Sequence, residues 1–170
     1  DVARRLGAEL AGRGVCVVSG LALGIDGAAH AGALDAGGAA PVAVVGSGLD
    51  RPYPARHAEL WRRMAAMGAV ISEYPLGSAP VAWHFPARNR LIAALADVVV
   101  VVESQEAGGS MLTVDAAIAR DVEVMAVPGP VTARTSAGPN RLLSEGRGVV
   151  RDALDVIVAL GLAGAGAPGG

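Results

Sequence analysis

The run from Asp97 to Asp121 limits the possible folds of this chain more than any other stretch. It opens on five consecutive valines, Val98 to Val102, far short of the roughly 18–20 apolar residues of a membrane-spanning helix. A β-branched run bounded by polar residues predicts a strand buried on both faces, as in a parallel sheet. Beyond Glu103 a polar loop leads to Gly108, Gly109 and Ser110, and then to a helical pattern. Met111, Val114 and Ile118 fall on one face of that helix, with Ser110 as a natural N-cap. Strand, glycine loop and helix N-terminus in succession gather backbone N–H groups at the positive end of a helix dipole. That setting suits an anion such as phosphate. The same residues also have a plainer use, with the glycines making the turn and Ser110 capping the helix, and this stretch alone leaves both open.

The rest of the chain repeats the pattern. A helix is predicted over residues 2–12, with Val2, Leu6 and Leu10 spaced four apart, and a strand over 15–18. Next comes a helix whose Ile25, Ala29, Gly32 and Ala36 form a small-residue stripe suited to close packing on a sheet. Strands are expected over 41–45, 69–72 and 122–127, with an amphipathic helix through Leu60, Met64 and Met67. A short helix beginning near Ala87, another in NRLLSEG and a last one over 152–160 complete the pattern. Apolar strands alternating with helices predict an α/β, doubly wound and mostly parallel sheet with helices on both faces. Ligands of such sheets bind beyond the carboxyl ends of the strands, where Ser19, Ser47, Glu73, Glu103 and the PGP of residues 128–130 fall. One domain is expected over 1–161. The composition of 162–170 predicts a flexible linker, with more protein beyond it.

Composition narrows the function. The chain has 170 residues and a net charge of −2, which argues against a protein that coats nucleic acid non-specifically. The distribution of charge says more. No carboxylate lies between Glu73 and Asp97, where His84, Arg88 and Arg90 stand, nor between Glu123 and Glu145, which bracket Arg134 and Arg141. Such windows fit a confined anion pocket. The lone Cys16 cannot make an internal disulfide, so a reduced, cytoplasmic setting is expected.

Other groupings are weaker. Asp26 and His30 stand four apart on a helix without a third ligand at metal spacing, so an ion pair or cap is the expectation. A triad with Ser19 is excluded, since no G-x-S-x-G elbow exists and one short helix cannot align both partners with that serine. Glu73 and Glu103 either hold a ribose hydroxyl or cap a neighbouring N–H. Phe85, the only Phe, either stacks on a base or anchors its loop.

Several stretches together resemble the DNA-processing protein A family, also called DprA or Smf. They are VVSGLALGIDGAAH, VVGSGLDRPYP, ISEYP, HFPARNRLIA, VVVVVE with GGSMLT, and VPGP followed by GPNRLLSEG, in the family's order over residues 15–160. The resemblance implies a Rossmann-like domain that binds single-stranded DNA, forms a homodimer and helps load the recombinase RecA onto incoming DNA in natural transformation. It implies no enzymatic reaction and no cofactor. The sites it implies are Phe85, Arg88, Asn89 and Arg90, together with Gly109, Ser110 and Thr113. The chain departs from the family at Leu23, where a basic residue is common, and lacks the winged-helix-like end. It also lacks the opening strand with its VGSR-like loop, so a piece of a longer domain is expected, short of a strand that is central in a 3-2-1-4-5-6 order.

Two rival functions are open. Phosphoribohydrolase-like nucleotide-processing enzymes share this Rossmann variant but carry PGG-x-GT-x-x-E, and GGSMLTVD keeps that loop without its acid. A purely structural interaction domain is the other. Within the leading reading, a helix from Ala87 puts Arg88 on the line of Leu91, Ile92 and Leu95, directed along the carboxyl edge towards the Ser110 loop. Arg90, roughly 160° away on the same wheel, should reach the rim.

Overall fold

The computed structural model describes residues 1–162 and organises the chain as two compact units, Asp1–Leu95 and Ala96 onward. In the first unit the order is α1 (Val2–Gly12), β1 (Val18–Ser19), α2 (Ile25–Ala36), β2 (Val42–Val45), α3 (Ala58–Met67), β3 (Ala69–Ser72) and α4 (His84–Leu95), with a single 3₁₀ turn at Ala55–His57. The strands form a sheet in the order β1-β2-β3. Both pairings are parallel, with Val18 opposite Val42 and Val42 to Val45 opposite Ala69 to Ser72. Connections through helices are what parallel neighbours demand.

The second unit runs β4 (Val98–Val101), α5 (Gly109–Ile118), β5 (Glu123–Ala126), α6 (Ala137–Ser144), β6 (Gly148–Val149) and α7 (Ala153–Ala159), with a 3₁₀ turn at Arg134–Ser136. Its sheet, in the order β4-β5-β6, is again parallel throughout, with Val98 opposite Glu123 and Met125 opposite Gly148. The α/β, Rossmann-like class expected from the alternating pattern is therefore what the chain adopts. The tail expected as a linker lies, but for Leu162, outside the described residues.

Several local expectations need correction. β1 is two residues long and begins at Val18 rather than Val15. The valine strand buries Val99 and Val101 but leaves Val98 and Val100 half-buried, because alternate side chains point to opposite faces of the sheet and one face is less fully covered. On α3 it is Trp61 and Met64 that go inside, while Met67 at the helix end is half-exposed. On α5 the buried line runs Met111, Val114 and Ala117, and Ile118 is exposed.

The small-residue stripe of α2 serves a helix, not the sheet. A Cβ on Gly32 would stand 2.0 Å from the Arg4 carbonyl oxygen, and one on Gly7 would stand 2.2 Å from that of Ala29. Both are distances real side chains do not reach, so α1 and α2 touch backbone to backbone. Asp35 at the end of α2 then ties the layer together, accepting from Arg4 of α1 and, at 2.7 Å, from Arg63 of α3. The core of the first unit lies between sheet and helices and is built from Leu21, Leu34, Ala43, Val45, Trp61 and Met64.

Candidate nucleic-acid interface

The carboxyl edge of the β1-β2-β3 sheet is closed by the first turns of α4. That helix starts at His84, three residues earlier than the pattern predicts, and so carries Phe85, Arg88, Asn89 and Arg90 together. Its buried positions are His84, Arg88 and Ala93. Arg88 is 5% exposed and Arg90 is exposed, which is the expected contrast. The apolar face expected to set it differs, however: Leu95 is 50% exposed, Leu91 and Ile92 are only half-buried, and Ala93 is the buried apolar residue.

Arg88 is a structural clamp as well as a charge. Its Nη1 donates to the Gly20 carbonyl at 2.7 Å, just past β1, and to the Val44 carbonyl of β2. Its Nε donates to Asn89 Oδ1 at 3.2 Å. The guanidinium carbon lies 5.9 Å from the Phe85 ring centroid, within cation–π range. Only a glycine fits beneath it, since a Cβ on Gly20 would sit 2.5 Å from the Arg88 guanidinium carbon. Burial pushes the Arg88 pKa down, and the negative charge of Asp26 opposes that shift.

The loop after β1 is fixed from several sides. Asp26 Oδ2 accepts from the backbone N–H of Gly20 at 3.0 Å and of Ala22 at 3.3 Å, so it is a cap, not half of a catalytic pair. His57 Nδ1 bonds the Leu21 carbonyl at 2.9 Å. Leu21 itself is fully buried with φ +57, a conformation a branched residue holds only where its surroundings over-determine it. The other histidines also bond carbonyls. His84 Nδ1 meets the Gly46 oxygen at 2.8 Å, and His30 Nε2 meets that of Val42 at 3.1 Å. Desolvation lowers the pKa of His30, so the ring is neutral and its proton sits on Nε2. Among the described residues no group of three or more His, Cys, Asp or Glu could hold a metal ion.

What sequence reasoning missed is the gathering of aromatic rings at this edge. Tyr53, from the loop after β2, lies 5.4 Å from Phe85. Tyr74, two residues beyond β3, stacks on His84 at 3.7 Å. Trp83 stands nearly perpendicular to both, 4.3 Å from His84 and 6.2 Å from Tyr74. His84 and Phe85 both close over Gly46, where a Cβ would come within 3.1 Å of the Phe85 ring. The signal was present in the sequence. Aromatic residues are only 3% of the chain, yet all of them fall between Tyr53 and Phe85, and all but the core Trp61 gather at this edge. Glu73, one of the two strand-end acids, is spent on an ion pair with Arg90.

Gly109, Ser110 and Thr113 lie on α5 of the second unit. The N-cap is Gly108, not Ser110, because the helix starts one residue before the serine; Ser110 is exposed within the first turn. The preceding loop is held by Ser104, whose N–H donates to Thr135 at 2.7 Å and whose carbonyl accepts from Gly138 at 3.0 Å. Asn140 pins the PGP loop through both its amide atoms to Gly129. The N-cap, Gly108, contributes no side-chain hydrogen bond to the first turn of α5, where the positive end of the helix dipole lies.

Comparison with known proteins shows the family. The model of the family described as DNA recombination-mediator protein A matches residues 1–161. A DNA processing protein DprA of Mycobacterium tuberculosis is 48% identical over 160 residues, covering 94% of this chain and 41% of that protein. DNA processing protein A of Streptococcus pneumoniae superposes with a TM-score of 0.80 at 39% identity, over 92% of this chain and 53% of that one. The Helicobacter pylori protein, whose structure concerns a single-stranded DNA binding mode, gives 0.82 at 31% identity over 93% and 71%. The chain thus spans well under half the length of its mycobacterial relative.

Proposed function

Since the chain belongs to the DNA recombination-mediator protein A family, we propose that it is a non-enzymatic, single-stranded DNA-binding part of a DNA-processing protein. The full protein would act on incoming DNA in natural transformation, as a cytoplasmic homodimer that hands the strand to RecA.

One observation carries the binding reading. Four aromatic side chains and the Arg88–Arg90 helix meet at one sheet edge, on loops poor in carboxylate. Bases present π-faces to rings and phosphates present charge to arginines, and single strands expose both where a duplex hides its bases. Phosphate contacts at this edge would come from Arg90, which exchanges its exposed pair with Glu73 for a phosphate at little cost. In the second unit, taken by itself, Gly109, Ser110 and Thr113 at the start of α5 are the proposed contacts. Arg88 and Asn89 hold the edge in shape beneath Phe85.

The rival, nucleotide processing, draws no support from the residues at either strand edge. Glu73 is paired with Arg90, and with its glycines aligned the loop at α5 has Met111, Leu112 and Asp115 where the hydrolase motif has Gly, Thr and Glu. Incubation with nucleoside monophosphates followed by chromatography separates the two. Unchanged nucleotides are expected, and released free base would overturn the non-enzymatic reading. Among the described residues no helix is long and apolar enough to cross a membrane.

A further inference from the structure

The geometry points to Trp83 as a base-stacking platform, a second aromatic position distinct from Phe85 on which an unpaired base of a single strand rests; this inference rests on the binding reading above. Trp83 is 64% exposed. A large amphipathic ring left in water costs hydration free energy that burial elsewhere would recover. It is not loose, however. The Tyr74–His84 stack stands against it at near right angles, and His84 is buried and bonded to the Gly46 carbonyl. The indole is therefore held in place before any ligand arrives, so binding to it sacrifices little side-chain freedom.

The chemistry around it favours a nucleobase over a protein side chain. The two stretches that carry Tyr53, Tyr74 and Trp83, residues 51–57 and 74–83, contain Arg51 and Arg56 and no carboxylate. Both arginines are exposed. Arg51 lies 3.8 Å from Asp50, an exposed pair that a phosphate can replace at little cost. A flat π-surface on segments that carry such exposed arginines suits a strand whose bases stack while its phosphates meet arginine. Phe85 is half-buried against Gly46 and Arg88, whereas Trp83 offers most of its surface outward. The two rings belong to the residues that flank His84, so a strand that reaches Phe85 has Trp83 within its path.

The test uses the 170-residue chain, a fluorescein-labelled single-stranded oligothymidylate read by anisotropy, and the same oligomer built with abasic sites. Trp83→Leu keeps apolar bulk and removes the π-face; Trp83→Phe keeps a ring. Loss of one stacked base should weaken binding about 5- to 150-fold in Trp83→Leu, with Trp83→Phe close to the unaltered chain. In a Trp61→Phe background Trp83 is the sole tryptophan, and its emission should be quenched by the thymidylate and not by the abasic oligomer. Unaltered affinity in Trp83→Leu, or equal quenching by the abasic strand, overturns the assignment while leaving the binding reading intact. Absence of any binding by the unaltered chain overturns both.

Discussion

Replacing Arg88 by alanine should unfold this chain far more readily than replacing Arg90, although the two stand two residues apart on one helix. Arg88 is 5% exposed and donates to the Gly20 and Val44 carbonyls. Alanine leaves both acceptors facing a cavity. Each buried group left without a partner costs about 1–3 kcal/mol, and the stacking on Phe85 is lost as well. A destabilisation of about 2–5 kcal/mol is expected, a large part of the 5–15 kcal/mol typical of a folded domain. Arg90 pairs with Glu73 in solvent, and exposed pairs contribute only about 0–1 kcal/mol. Urea unfolding followed by far-ultraviolet circular dichroism reads the difference. With slopes of about 1–3 kcal/mol/M, the Arg88→Ala midpoint should fall by roughly 1–2 M and that of Arg90→Ala hardly at all. Arg88→Lys should lie between, because an ammonium keeps the charge but not the planar fork. If Arg88→Ala unfolds within about 0.5 kcal/mol of the unaltered chain, below the typical scatter of surface substitutions, the guanidinium is not what holds the two strand ends.

Two further outcomes follow from the same structure. Gly32→Ala should cost about 1–3 kcal/mol through overpacking against the Arg4 carbonyl, whereas Gly12→Ala, with open space around it, should be neutral or stabilising by up to about 1 kcal/mol; paired thermal melts check both. His30 is held neutral below its ordinary pKa of 6.5 by burial. As pH falls through that value the unfolded chain takes up a proton that the folded chain refuses. Stability is therefore complete above it and declines below. Urea midpoints between about pH 7.5 and 5.5 should fall less steeply in His30→Gln, which can still donate to Val42, than in the unaltered chain.

How much of this was legible in the sequence depends on the range over which each feature acts. The separation of Arg88 from Arg90 was readable because it is a matter of helical phase. The start of α4 was misplaced by three residues, from Ala87 to His84, yet phase does not depend on where a helix begins. What Arg88 touches was not readable. Its acceptors lie 68 and 44 residues away, and no local pattern says that a guanidinium will end against strand carbonyls. The α2 stripe shows the same limit. Its small residues announced close packing, but whether the partner is a sheet or α1 is settled by tertiary contacts. Ser110 was misassigned as a cap because Gly108 and Gly109 permit the helix to begin earlier than a serine-led rule expects. The aromatic edge was missed because Tyr53 sits in one connection and Tyr74 and Trp83 at the two ends of another, and only the parallel sheet makes them converge.

The measurement that bears most directly on function is a competition titration. A labelled single strand bound to the 170-residue chain is displaced by unlabelled single strand or by duplex of equal length, at several salt concentrations. The single strand should compete far better than the duplex. The logarithm of affinity should fall with that of salt by about 0.7 for each phosphate neutralised, for a few phosphates only. Equal competition by duplex, or a slope that implies ten or more phosphates, would contradict a confined aromatic and arginine edge for unpaired DNA.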